Sequence, residues 1–287
     1  MSIGVIYTAI SAILYGTIGY FGARLSGIGF DVSDLLFWRF AFSCLLLLPA
    51  FLLSLKSLKK DDYRTIGIII LLGIIFYGYG TGLYFKSARL IGTGLGMVIF
   101  FAYPLFVVLF SWAFHKQKPS VKTMFALALI VVGSSMIAFG ERGEFRVDLL
   151  GIVLAAGSGL GYACYIFSSK SIKNNLSPMV STFWVCFGCT ITFVLEAGFQ
   201  QHTLIWPETS DAWMLIAGFA LFGTVLPIFL FLMGIKTLPA SKASIISVLE
   251  PVAVLVLGVC VLGESITGIQ LIGAAIILSS ALTVGHK

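Results

Sequence analysis

The sequence predicts an all-α integral membrane protein: ten transmembrane helices arranged as two inverted five-helix repeats. Three observations predict it. Of the 287 residues, 59% are hydrophobic and only 10% are charged, against about 25% charged in a soluble domain, so most of the outer surface must meet lipid. Five stretches carry no Asp, Glu, Lys or Arg: Thr65 to Phe85, Leu90 to His115, Leu149 to Ser169, Asn174 to Leu195 and Ala212 to Ile235. Each is long enough to cross a hydrocarbon core, which takes roughly 20 helical residues. Finally, one constant offset of 147 residues brings the two halves of the chain into register.

Only helices and closed barrels satisfy their backbone in lipid, and the stretches are continuously apolar rather than alternating, which selects helices. In order, the expected spans are Ile3 to Ala23, Leu35 to Leu55, Ile66 to Phe85, Thr93 to Phe114, Val121 to Phe139, Leu149 to Ser169, Pro178 to Phe199, Ala212 to Ile235, Ala243 to Leu262 and Ile266 to Val284. Met1 to Ala23 has no basic leading segment and runs straight into further spans, so it reads as the first helix rather than a cleaved signal. Short connections leave no room for a soluble domain.

Ten spans put both termini on one side. If that side is the cytoplasm, twelve basic residues face inward: Lys56, Lys59, Lys60, Arg64, Lys116, Lys118, Lys122, Lys170, Lys173, Lys236, Lys242 and Lys287. Five face outward: Arg24, Lys86, Arg89, Arg142 and Arg146. That bias predicts a multi-pass protein of the cytoplasmic (inner) membrane with both termini in the cytoplasm. The net charge of +6 is thus a topology signal, and no nucleic-acid partner is expected. Cys186 and Cys189 have C-x-x-C spacing but lie mid-span without a nearby His or carboxylate, so they read as small packing residues.

The 147-residue offset places Gly4 on Gly151, Ala9 on Ala156, Ser11 on Ser158, Tyr15 on Tyr162, Arg89 on Lys236 and Pro104 on Pro251. It divides the chain into repeats at 1–143 and 144–287. Five spans per repeat invert the second relative to the first, an arrangement that puts a solute site near the bilayer midplane.

The stretch Leu249 to Val284 resembles the C-terminal end of EamA-type members of the drug/metabolite transporter superfamily. Pro251, the Gly263-Glu264 pair and Gly273 carry the match. Tyr103-Pro104, Lys118-Pro119 and Gly133 are similar in the first repeat, and Trp38-Arg39 looks like the family's aromatic-Arg start. The resemblance implies a central cavity lined by spans one, three, four, six, eight and nine. It implies secondary transport of small metabolites, foremost amino acids or related amphipathic compounds, by export. A cationic amine is the alternative substrate, and a non-transporting accessory subunit the alternative class.

Glu250 is the only carboxylate deep inside a span, which makes it a functional candidate by default: a proton carrier or a counter-ion for a cationic group. Tyr15 and Tyr162 are repeat mates, and Tyr103 is the mate of Glu250, so all four should lie at similar depth. Their rings can hold a cation or stack on an amphipathic solute. The expected substrate-binding set is Tyr15, Tyr79, Tyr103, Tyr162 and Glu250, with Tyr77, Tyr84 and Tyr165 weaker members. Arg39 is expected to snorkel to the interface, with a contact to a substrate anion as the alternative. The glycine runs 78-80-82, 92-94-96 and 157-159-161 predict close helix packing, with bends there or at Pro104, Pro227 and Pro251.

No enzyme is expected: His115, His202 and His286 lie in loops or the tail, and no metal spacing exists. No cofactor is implied. The partners are the lipid bilayer and a small-molecule substrate, and ten helices can enclose a cavity alone, which allows a monomer.

Overall fold

The computed structural model describes residues 2–140, 148–172, 176–263 and 265–285. Arg142, Arg146, Lys173, Glu264, His286, Lys287 and the expected repeat boundary at 143/144 lie outside the described residues. All described elements are helical. In chain order they are α1 (Ile3–Ser26), α2 (Val32–Ser54), α3 (Asp62–Ile91), α4 (Thr93–His115), α5 (Val121–Gly140), α6 (Leu149–Ser171), α7 (Pro178–Phe199), α8 (Ser210–Thr237), α9 (Ala240–Val261) and α10 (Gly268–Val284). The first nine are long and apolar enough to cross a membrane, and α10 is a shorter apolar helix.

Short polar residues start the helices by taking up orphan backbone donors. Asp31 and Asp34 form a reciprocal capping box on α2. Asp148, Ser177 and Thr209 cap α6, α7 and α8.

Several spans are interrupted. α1 bends at Gly16. α4 is two half-helices, Thr93–Phe100 and Tyr103–His115, and α9 is likewise split into Ala240–Ser247 and Glu250–Leu262. In both, the second half opens one residue before a proline. Pro104 and Pro251 have no N–H for the carbonyls of Phe100 and Ser247, four residues earlier, where the first halves end. π-helical segments occupy Leu72–Gly78 of α3 and Leu221–Val225 of α8. The α4 and α9 breaks are exact mates under the 147-residue offset, and the two π-helical segments overlap under it.

The packing is two-fold as well. Extensively packed helix pairs include α5 with α10, α2 with α7, α3 with α6 and α1 with α8. Exchanging the repeats turns each of the first two pairs into itself and the last two into one another. With five crossings per repeat, the halves are inverted. Small residues set these contacts. α3 meets α6 where Gly80 lies against Gly161. In α5 and α10, Gly133 sits against Gly273, and Ser280 Oγ donates to the Ala126 carbonyl at 3.1 Å. These two contacts are repeat mates.

A Cβ on Gly133 would stand 2.8 Å from the Gly273 carbonyl oxygen and 2.7 Å from Ile277. Gly133→Val is therefore expected to destabilise the bundle by about 1–3 kcal/mol, read as a lower thermal midpoint in detergent. An unchanged midpoint would show that α5 and α10 can separate freely.

Candidate functional site

The interruptions converge on one aromatic layer. Tyr15, the last residue before the α1 bend, shares a hydrogen bond with Tyr77 of the α3 π-helical segment, hydroxyl to hydroxyl at 3.0 Å. The Tyr77 ring packs edge-on against Tyr165 at 4.9 Å and Tyr162 at 5.8 Å. Tyr162 meets Tyr103 edge-on at 4.8 Å. Tyr103 opens the second half of α4, and its hydroxyl donates to the Ser244 carbonyl of α9 at 3.2 Å. Phe100 and Phe40 close the layer against Tyr162 and Tyr77.

Glu250 opens the second half of α9, within coulombic reach of Tyr103 and Tyr162. The first turn of a half-helix presents unpaired N–H groups and the positive end of its dipole, which explains how a carboxylate is tolerated at this depth. Among the described residues it makes no hydrogen bond or ion pair. Of the five expected residues, the fold brings Tyr15, Tyr103, Tyr162 and Glu250 together. Tyr79 is 54% exposed and outside this ring network; Tyr77, two residues earlier, holds the inward position.

Arg39 does not snorkel, which corrects the expectation. It is 3% exposed, its guanidinium between the rings of Phe40 and Phe219 at 5.0 and 5.1 Å. Nη2 donates to the Gly223 carbonyl at 2.8 Å and Nε to Thr224 Oγ1 at 2.7 Å. The cause is Pro227, which has no N–H for the Gly223 carbonyl four residues earlier. The π-helical segment of α3 is served from α7: Cys189 Sγ donates to the Gly73 carbonyl at 3.4 Å and Thr192 Oγ1 to that of Ile74 at 3.1 Å. Cys186 and Cys189 are buried free thiols. Lys86, on the sparsely basic side, pairs with Glu196 of α7 at 2.7 Å.

A cleft of about 650 Å³ leads toward this layer from the face that carries the chain ends. Its lining includes Ile69 and Leu72 of α3, Lys170 of α6, Ile172 beyond it, and Pro178, Ser181 and Val185 of α7. Lys170 Nζ donates to the Ile235 carbonyl at the end of α8 at 2.7 Å. Leu72 and Val185 stand about one helical turn below Tyr77 and Cys189.

The repeat mates of Ile69, Leu72, Ile172, Pro178, Ser181 and Val185 are Ile216, Phe219, Leu25, Asp31, Asp34 and Trp38, and at the opposite face all of them except the exposed Asp31 are buried or half-buried. Leu25, Ile216 and Phe219 share one buried cluster with Phe30 and Leu35. The connection from α7 to α8 is strapped over them. Asp34 Oδ1 accepts from the Ile205 N–H at 2.9 Å and lies 3.1 Å from His202 Nε2. Trp38 Nε1 donates to the Ile205 carbonyl at 2.8 Å, and its ring packs edge-on against Trp206 and Trp213. The hydrogen bond to Asp34 raises the His202 pKa above its ordinary value, against partial burial, and the charges of Asp31 and Asp34 add to the rise.

Half-helices that meet between two inverted repeats, with a wide cleft at one face and only a small pocket at the other, define a multi-pass membrane transporter. The chain belongs to the EamA-like transporter family, whose model matches residues 2–139 and 149–285. An uncharacterized transporter of Archaeoglobus fulgidus is 26% identical over 275 residues, 95% of this chain and 93% of its own. The uncharacterized transporter sll1319 of Synechocystis is 29% identical over 221 residues, 75% of this chain and 65% of its own length. The threonine/homoserine exporter RhtA of Escherichia coli K12 is 27% identical over 218 residues, 74% of this chain and 70% of its own. A solved structure described only as the crystal structure of a protein shares the fold, with a TM-score of 0.81 at 17% identity, covering 98% of this chain and 95% of its own.

The strap carries a signed pH dependence. Because the His202 pKa is raised on folding, its contribution to stability is fully present below the unfolded value of about 6.5 and is lost as pH rises through the higher folded value. The stability gap between wild type and His202→Gln should shrink with rising pH above about 6.5. A gap of constant size across that window would show that the charge on His202 plays no part.

Proposed function

We propose that the chain exports amino acids or related amphipathic metabolites across the cytoplasmic membrane by alternating access. Its substrate layer is formed by Tyr15, Tyr103, Tyr162 and Glu250, with Tyr77 in the place expected of Tyr79. The observation that carries the reading is Glu250. It is a carboxylate without a hydrogen bond or ion pair among the described residues, at the head of a broken helix, among tyrosine rings, at the meeting of two inverted repeats. A buried ionisable group in a membrane is costly and is kept for transport chemistry. The named activity of the related exporters, threonine and homoserine, supports amino acids as the substrate class.

The working cycle follows from the two-fold relation. Ile172, Ile69 and Leu72 now line an open cleft, while their mates Leu25, Ile216 and Phe219 are packed together. Closing the first set and releasing the second moves access from one face to the other. The lysine bias supports the chain-end face as cytoplasmic, so the open cleft receives solute from inside. Glu250 carries the proton that couples the cycle. A monomer contains both halves of the pathway. A simple cationic amine is the second reading, favoured by Glu250 among aromatic rings.

Purified protein in liposomes should move threonine or homoserine without consuming it, driven by an imposed pH gradient. Glu250→Gln should abolish the gradient-driven flux. Normal proton-driven flux in that variant would remove Glu250 from the coupling role, and an inert wild type would remove the amino-acid reading.

A further inference from the structure

Arg39 is a buried cation that no described carboxylate neutralises. Two of its donors serve Gly223 and Thr224. A guanidinium has five N–H groups, and the other three have no described acceptor. An isolated charge out of water is very unfavourable, so holding the α8 π-helical segment does not by itself explain why a charge sits here. The mate segment in α3 makes the point directly, since a thiol and a hydroxyl, Cys189 and Thr192, serve its carbonyls without any charge. At the position equivalent to Arg39 the second repeat carries Cys186.

The guanidinium also belongs to the substrate layer by contact. It packs on Phe40, whose ring meets Tyr77 at 6.0 Å. Tyr77 leads through Tyr162 to Tyr103, beside Glu250. A cation and a carboxylate thus border one aromatic network. They are within coulombic reach of each other but form no ion pair among those described.

We infer that Arg39 anchors the substrate carboxylate, so that a zwitterionic α-amino acid lies across the tyrosine layer with its carboxylate on Arg39 and its ammonium on Glu250. The inference rests on the reading of that layer as the substrate site. The planar fork of arginine matches a carboxylate with two parallel hydrogen bonds, and the tyrosine faces favour the ammonium. A zwitterion neutralises both protein charges at once. A simple amine would leave Arg39 unpaired, so Arg39 selects amino acids over their decarboxylated amines.

The test measures flux in liposomes of a panel of amino acids that includes threonine, of 1-aminopropan-2-ol, which is threonine without its carboxylate, and of N-acetylthreonine, which lacks the ammonium. Wild type should prefer threonine to both analogues. Arg39→Gln should raise the KM for threonine about ten- to a hundredfold, the loss expected of a charge-assisted pair, and so lower the ratio of threonine to 1-aminopropan-2-ol transport. Arg39→Lys keeps the charge and a donor for Gly223, and guards against a Gln variant that fails to fold. It should raise the threonine KM about tenfold while still folding, with a smaller drop in thermal midpoint than Arg39→Gln. A folded Arg39→Gln with an unchanged threonine-to-amine ratio, or an Arg39→Lys with an unchanged threonine KM, overturns the inference alone. A wild type that moves no amino acid of the panel overturns both the inference and the function it rests on.

Discussion

In hydrocarbon, a backbone N–H or C=O without a partner has no water to turn to, and each such group costs several kcal/mol. An unbroken helix avoids the problem. This chain interrupts its helices repeatedly, and much of its core follows from where the missing partners are found. Pro104 and Pro251 end hydrogen-bond ladders in α4 and α9, and the new half-helices begin at Tyr103 and Glu250. Pro227 leaves the Gly223 carbonyl without its usual donor, and Arg39 supplies one from another helix. Gly73 and Ile74 are served from α7 in the same manner. The layer of tyrosines stands where these repairs meet.

The two repeats agree in backbone and differ in chemistry. The α4 and α9 breaks obey the two-fold relation closely, because Pro104 and Pro251 recur at the same offset, whereas the α1 bend at Gly16 has no mate in the continuous α6. The two faces do not obey it. Asp31, Asp34 and Trp38 fasten the closed face to the strap that carries His202 and Ile205. Their mates at the cleft are Pro178, Ser181 and Val185, which offer no carboxylate and no indole. Among the described residues, the bonds that Asp34 and Trp38 make to the strap have no counterpart at their mates Ser181 and Val185. Inverted symmetry makes two arrangements geometrically equivalent, and these few side chains make them unequal in free energy.

Most of the architecture was legible in the chain, since apolar runs of the right length, the basic bias and one constant offset are each local or additive signals. The meeting of Tyr15, Tyr103, Tyr162 and Glu250 was legible too, because repeat mates must lie at similar depth in an inverted pair. Tyr79 was not placed correctly beside them. The π-helical segment Leu72–Gly78 adds an extra residue to a turn and rotates every later side chain, so Tyr77 faces inward and Tyr79 outward. That segment contains no proline to announce it. Arg39 was misjudged for a related reason. Its distance from the end of its span suggested snorkelling, while the carbonyl that captures it belongs to a helix far along the chain.

What the sequence determined by itself was the solvent each segment requires, the number of crossings and the equivalence of the two halves. These follow from composition and periodicity, which need no knowledge of neighbours. Only the tertiary structure decided which tyrosine faces the axis, what partner a buried guanidinium finds and which of two equivalent clefts stands open. Each of those depends on hydrogen bonds or contacts between residues distant in the chain, and the free-energy differences that choose among them arise only when the helices are packed together.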